Sequence, residues 1–343
     1  MKNIIQRKKR DLFSYSLLNF LFKNKIFLFL LRMTITFLFF YAIILGFIYP
    51  TKEENLFTTA LFWSLFWSFF MVLSLSTIGR VFCGICPHGF IGKYITKLGL
   101  KKKMPKKFAN PFIGLGVIVI GYWLMNFLFP AIYSAPYNTA IFFTILTLLS
   151  FVIYFLYDDM AYCKYICPLG TVTKAFSKVS FTKLETYNEG CATCKTFDCA
   201  SACSYNLKPF TFAKKNSMED CTLCMDCAVS CENVAFNITK PSSTLFNKFK
   251  TQKVEVWTIL ILTAILSFAM TFKHSLNRTA IADEFIWNKI SKFLEFYITT
   301  DFISIDGLSV FLFSIVLIVV LNIIAMFIAS KILKVSFETT FYT

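Results

Sequence analysis

Residues 221–231 read CTLCMDCAVSC, four thiols in eleven positions. The chain around them is oily: 57% hydrophobic, with 43 phenylalanines and a mean hydropathy of +0.63. An ordinary soluble domain is roughly 45–50% apolar, so the thiol run sits in a chain of the membrane class. The formal charge of +16 would suit nucleic acid, but the bases flank long apolar runs and no aromatic-basic reading surface stands out. That distribution belongs to helix ends held at a bilayer, and nucleic-acid binding is set aside.

Working outward, six segments reach the roughly 20 apolar residues that a span needs. They lie near 26–49, 55–78, 111–133, 139–157, 256–272 and 308–330, the fifth being the shortest. Residues 12–22 (LFSYSLLNFLF) read as an interfacial helix, and Arg32 as a snorkelling cation near the basic end of the first span. No small-residue cleavage site follows the basic start, so the first span is expected to stay as an anchor. The first 25 residues carry seven Lys and Arg; 79–110 carries eight and no acid, including KKKMPKK at 101–107. The loops at 50–54 and 134–138 carry a single Lys between them. The positive-inside rule therefore predicts a cytoplasmic 79–110 loop and two cytoplasmic termini. In the outer loop, IADEFIWNKISKFLEFY (281–297) has apolar residues near helical spacing, which suits either a helix on the outer membrane surface or a plain connector.

None of the twelve cysteines falls in a predicted span or an outward loop. On the cytoplasmic side thiols stay reduced, which favours metal binding over a disulfide framework. Residues 158–255 are the one sizeable segment between spans on that side, and their Cys-rich core, 185–240, is too small to fold without a staple. There is also an internal repeat. GRVFCGICPHG (79–89) follows span two and MAYCKYICPLG (160–170) follows span four. Each places Cys-Pro-x-Gly at the exit of a helix hairpin, as a duplicated unit with pseudo-two-fold symmetry would.

The 221–231 run has the C-x2-C-x2-C-x3-C spacing of bacterial ferredoxins, whose fourth Cys ligates the other of two clusters. CATCKTFDCASAC (191–203) has the same form with a longer middle gap. The cross-over rule assigns Cys191, Cys194, Cys199 and Cys231 to one [4Fe-4S] cluster, and Cys221, Cys224, Cys227 and Cys203 to a second. Ser204 and Glu232 stand where ferredoxins usually carry Pro, which weakens the turn argument but not the ligand count. Two tetrahedral zinc sites are the alternative. Cys83, Cys86, Cys163 and Cys167 suit a third, membrane-edge centre: a shared iron–sulfur centre, a copper(I) site or a redox-active dithiol pair, against plain tight turns. His88 reads as a polar turn residue, or as one that tunes a cluster or handles a quinol proton. Arg80 either snorkels or neutralises a cluster–thiolate assembly. Two histidines cannot supply a facing pair for membrane haem b. No GxGxxG, P-loop, HExxH or CxxCH occurs, and no catalytic residue is assigned.

GRVFCGICPHG, CKYICPLG and the two-cluster module resemble the NapH/NosR/CcoG-type membrane-bound 4Fe-4S polyferredoxins, from about residue 26 to 240. The resemblance implies a cytoplasm-facing ferredoxin module on a helix bundle, moving electrons between quinol or a cytoplasmic donor and a periplasmic redox or metal-uptake system. Three departures stand out: two rather than three residues between Cys83 and Cys86, no large outer domain, and two extra spans after the module.

The expected fold is an α-helical polytopic membrane protein of about six transmembrane helices with two pseudo-repeated hairpins and a small α+β two-[4Fe-4S] ferredoxin-like insert. Its expected parts are a basic N-terminus with an interfacial helix (1–25), a four-helix membrane domain (26–178), the ferredoxin-like domain (179–250), and two C-terminal spans with an outer loop at 273–307 (251–343). The expected location is a bacterial inner membrane. The expected cofactors are two [4Fe-4S] clusters, a third iron–sulfur or copper centre, and quinone. The expected partners are redox proteins on one or both sides. A copper- or iron-handling membrane protein and a zinc-binding membrane scaffold are the alternative functions.

Overall fold

A computed structural model describes residues 10–177, 180–212, 218–239, 252–298 and 302–342. The basic run at 1–9 and the expected module tail at 240–250 lie outside the described residues.

Among the described residues, five helices are long and apolar enough to cross a membrane: α1 (Lys25–Ile48), α2 (Phe57–Leu75), α4 (Pro136–Leu156), α5 (Lys253–Arg278) and α6 (Ile305–Leu333). Between α2 and α4 lies a shorter apolar helix, α3 (Phe112–Leu128). At 1.5 Å per residue it covers about 26 Å, a little less than the roughly 30 Å hydrocarbon core. Pro130 explains the early stop, because proline disfavours helical geometry at the residue before it, and Phe129 has indeed left the helix. The helix at the expected third span is thus the shortest of these apolar helices. The fifth runs through a π-helical stretch (Ala264–Ala269) to 26 residues.

Local chemistry sets the helix starts. The Asn24 side chain accepts from the Ile26 and Phe27 amides ahead of α1, Pro136 stands at the first turn of α4, and the Ser304 hydroxyl accepts from Gly307 N–H ahead of α6. Each satisfies or removes an orphan donor of the first turn.

The chain divides into two compact units. One holds residues 1–110 and 135–250, the other 111–134 and 251–343. The α3 helix therefore groups with α5 and α6. Its last carbonyls account for this: Leu128 O accepts from Ser304 N–H at 2.8 Å and Asn126 O from Lys273 Nζ at 3.4 Å. These are orphan acceptors of a helix end, met by residues of the same unit. In that unit the helix Ile286–Tyr297 buries Trp287 against Phe272, ring centroids 4.3 Å apart, and exposes Ile286, Phe293 and Phe296.

In the first unit, Phe39, Phe62, Trp63, Trp67 and Phe82 form an aromatic core. A second core belongs to the small Cys-rich module. There, β1 (Thr182–Thr186) pairs antiparallel with β2 (Val234–Ile238), Leu184 opposite Phe236, both fully buried. The two strands bracket both cysteine runs. The N-terminal segment docks on this module. Buried Asp11 accepts from Phe236 N–H at 3.1 Å and from the Tyr187 hydroxyl at 2.9 Å, and the Phe13 and Phe22 rings pack on Phe236. Residues 12–22, read as an interfacial helix, thus turn one side to protein and leave Leu17 and Phe20 exposed.

Candidate metal centre

Each cysteine run turns on a non-glycine residue in the left-handed region. Phe197 (φ 52°) precedes the short helix Asp198–Ser201, and Met225 (φ 63°) precedes Asp226–Ser230. Such backbones cost of order 1–3 kcal/mol each and persist where the surroundings over-determine them. Both turns do the same job: they bring Cys199 and Cys227 back beside the first cysteines of their runs.

Thiols of the two runs lie close to one another. Burial pushes the Cys199 thiol up to about 11, and the neighbours that add to this are Cys231, Cys191 and Cys194. Burial pushes Cys227 well up, with Cys221, Cys224 and Cys203 beside it and Cys199 of the first run adding as well. Cys203, Cys221, Cys224 and Cys227 also line one cavity, closed by Leu184, Phe212 and Met225. Burial drives Cys221 and Cys224 up to about 12.

Backbone amides oppose these penalties. The Phe197 and Thr196 amides favour the thiolate of Cys194, Leu223 that of Cys221, Asp226 that of Cys224, and Asn233 that of Cys231. Amides aimed at sulfur stabilise thiolate, the form that ligates metal, and they tune the potential of an iron–sulfur cluster. The donor set therefore fits two cubane clusters, with Cys191, Cys194, Cys199 and Cys231 around one and Cys203, Cys221, Cys224 and Cys227 around the other.

The two Cys-Pro motifs adopt one local shape. Cys86 and Cys167 are extended caps (ψ 134° and 119°), and Pro87 and Pro168 open the helices Pro87–Leu98 and Pro168–Phe176. Proline suits a first helical turn because that amide has no partner there. The four thiols gather: burial pushes Cys86 up, with Cys163 and Cys83 adding, and pushes Cys167 well up, with Cys163, Cys86 and Cys83 adding. Each meets a polar group. Tyr154 Oη lies 2.8 Å from Cys163 Sγ, Thr173 Oγ1 lies 3.2 Å from Cys83 Sγ, and Gly170 N–H donates to Cys167 Sγ at 3.3 Å. At Cys86 the His88 and Gly89 amides favour the thiolate.

His88 is buried. Its Nε2 lies 2.9 Å from the Thr147 hydroxyl, which itself donates to Phe143 O. That hydroxyl therefore accepts from Nε2–H, which leaves Nδ1 facing Cys86 Sγ at 3.9 Å. Burial holds the imidazole down to about 4. Arg80 is buried with its guanidinium beside Cys83, Tyr205 and Asp220 and donates to Glu219 O at 3.1 Å. Of the two readings of Arg80, charge neutralisation near the thiols is the one this position favours.

Arg32 does not snorkel. Its side chain is 6% exposed. Nε donates to Gly84 O at 3.1 Å, NH1 to Asp226 Oδ1 at 3.0 Å, and NH2 to Cys224 O. Further latches repeat the pattern of a base on the helix side and an acid or carbonyl on the module: Lys93 with Asp226 (3.3 Å), Lys174 with Asp220 (2.9 Å), Lys23 with Glu232 (2.7 Å) and Lys164 with Tyr205 O (3.0 Å). Backbones touch as well. A Cβ on Gly84 would lie 2.8 Å from Leu223 O and 2.9 Å from Thr222 O, so only glycine lets the first Cys-Pro loop meet the second cysteine run.

Sequence reasoning found the twelve thiols but missed Tyr154, Thr173 and Tyr205 beside them, because nothing local marks a hydroxyl as facing sulfur. At the end of α4 the Asp159 carboxylate accepts from the Asn206 side chain of the module, and the Asp158 carboxylate from the Asp159 amide. Among the described residues, no three His, Cys, Asp or Glu side chains lie close enough to share a single ion. Thiols around a cubane each take a different iron, so they need not converge as they must on a lone zinc.

A 4Fe-4S binding domain family matches residues 59–106 and 139–185, the two stretches that contain the Cys-Pro motifs. The chain is 32% identical to uncharacterized protein MJ0750 of Methanocaldococcus jannaschii over 187 residues, 49% of this chain and 75% of that protein. It is 28% identical over 169 residues to uncharacterized protein MJ0749 of the same organism, covering 47% of this chain and 65% of that one. It is 26% identical over 228 residues to an Escherichia coli protein named "Putative electron transport protein YccM", covering 59% and 62%. The chain thus spans just under two thirds of the latter two. No solved structure matches it.

Proposed function

This chain belongs to the family of the Methanocaldococcus jannaschii protein MJ0750, and from that premise we propose that it is a membrane iron–sulfur electron-transfer protein of the NapH/NosR/CcoG type. The 4Fe-4S domain match and the similarity to a protein named for electron transport support iron–sulfur electron transfer. In this reading the module faces the cytoplasm of a prokaryotic inner membrane. It receives electrons from quinol or a cytoplasmic donor and passes them towards a redox or metal-uptake partner across the membrane. The bases at 79–110 support that orientation.

The observation that supports the reading is that thiols from different runs and loops lie near one another: Cys199 by Cys231, Cys191 and Cys194, Cys227 by Cys221, Cys224, Cys203 and Cys199, and Cys167 by Cys163, Cys86 and Cys83. Cys191, Cys194, Cys199 and Cys231 hold one [4Fe-4S] cluster, and Cys203, Cys221, Cys224 and Cys227 the other. Cys83, Cys86, Cys163 and Cys167 hold the membrane-edge centre, read as a third iron–sulfur site because the domain match falls on it. When bound, such clusters supply one-electron chemistry. The protein's own part is to hold the thiolates with amides and hydroxyls, and to balance their charge with Arg80.

Anaerobic purification tests this. The expected product is brown, absorbs broadly near 400 nm, and carries about eight irons from the two crossed quartets and about four more from the third. A colourless, zinc-loaded protein would overturn the reading. Copper retained by the Cys-Pro quartet, and lost on changing Cys83 and Cys163, would favour metal handling.

A further inference from the structure

Tyr154 stands in the last turn of α4 and is fully buried. Its hydroxyl lies 2.8 Å from Cys163 Sγ in the second Cys-Pro motif and has no other hydrogen-bond partner among the described residues. The first motif holds the ring. A Cβ on Gly92, in the helix Pro87–Leu98, would lie 2.5 Å from Cε2 and 2.6 Å from Cζ of Tyr154. Any larger residue at position 92 would therefore push the phenol off its line to the sulfur. The buried Tyr162 ring meets the Tyr154 ring edge-on, centroids 5.7 Å apart, yet its hydroxyl bonds no sulfur among the described residues. Thr173 is a different case. Its Oγ1 lies 3.2 Å from Cys83 Sγ but also donates to Gly170 O at 3.1 Å, so its one proton is divided between two acceptors. The stretches matched by the 4Fe-4S binding domain family contain Gly92, Tyr154 and Cys163 alike.

We propose that Tyr154 is a positioning residue of the membrane-edge centre: its hydroxyl donates to the sulfur of Cys163 and raises that centre's reduction potential, with Gly92 of the other Cys-Pro helix setting the ring that aims it. A ligating sulfur is a thiolate and carries no proton, so the phenol is the donor. Its hydrogen bond withdraws negative charge from the sulfur and so favours the reduced state. One electron enters the centre on reduction, and Tyr154 keeps its O–H bond and is neither oxidised nor reduced. The proposal rests on the reading that the Cys-Pro quartet holds an iron–sulfur centre.

The test uses the full-length protein, purified without oxygen, with dithionite as the one-electron reductant. Potentiometric EPR should show that Tyr154→Phe retains full iron but moves the midpoint potential of the Cys-Pro centre to more negative values, leaving those of the other two centres in place. Tyr162→Phe removes a neighbouring buried hydroxyl that bonds no sulfur, and it should leave all three midpoints as in the wild type. An unmoved midpoint in Tyr154→Phe overturns the proposal. So does an equal shift in Tyr162→Phe, which would make the effect one of general polarity around the centre. Loss of the centre's iron in Tyr154→Phe overturns it too, because the hydroxyl would then be needed to build the site and not to tune it. The underlying reading fails separately: joint change of Cys83 and Cys163 to Ser would then leave iron content and every EPR signal as in the wild type.

Discussion

Arg32, eight residues into the first membrane helix, donates to the carboxylate of Asp226 at 3.0 Å, between Cys224 and Cys227 of the second cysteine run. The contact joins an apolar helix to the turn that presents Cys224 and Cys227. Asp226 also receives Lys93, so two bases meet on one acid.

Removing Arg32 leaves a largely buried carboxylate with one base in place of two and strips donors from Gly84 O and Cys224 O. Losing one partner of a buried pair costs about 3–5 kcal/mol. Arg32→Ala should lower the stability of the module by that order, seen as faster proteolysis of residues 182–238 in detergent. Arg32→Lys should recover part of it, because an ammonium restores charge but not the planar fork.

Gly84→Ala places a methyl against two backbone carbonyls that have no rotamer to yield. Overpacking of this kind costs about 1–3 kcal/mol. Iron retention at the Cys-Pro quartet should fall. Gly116→Ala, with nothing within 4 Å of the added carbon, should leave iron content unchanged.

The crossed ligand sets predict effects at a distance. Cys231→Ser should remove about four irons and abolish the EPR signal shared with Cys191, Cys194 and Cys199. Cys203→Ser should instead abolish the signal of the Cys221 run. Were each substitution to silence the cluster of its own run, the crossing would be wrong.

Stripping iron with a chelator under reducing conditions should unfold the module and spare the helices. A module this small buries too little apolar surface to stand alone, and metal-site binding energy is folding energy. The expected signature is protease cutting between Thr186 and Val234 with little loss of far-ultraviolet helix signal.

Much of this was legible in the residues. Cysteine spacing marked the two runs, because turns that bring several thiols together impose fixed gaps. Proline after Cys86 and Cys167 announced two alike helix starts. The rest depended on contacts between distant segments. An arginine near a helix end reads the same whether it reaches lipid headgroups or, as Arg32 does, backbone carbonyls of a domain about 190 residues away. Asp11 gave no signal either, since its acceptors are filled by Phe236 and Tyr187. The third span was read too long because hydropathy continues past Leu128 while the backbone, facing Pro130, does not.

The two cysteine runs differ in their flanks. Ala192, Thr193, Lys195, Thr196, Phe197 and Asp198 are exposed around the first, whereas Thr222, Leu223, Met225 and Ala228 are buried around the second. Oxidants follow access to sulfur. Air should therefore bleach this protein in sequence, the Cys194 corner first and the Cys224 corner later, so that a sample handled briefly on the bench loses its outermost centre while keeping the inner ones.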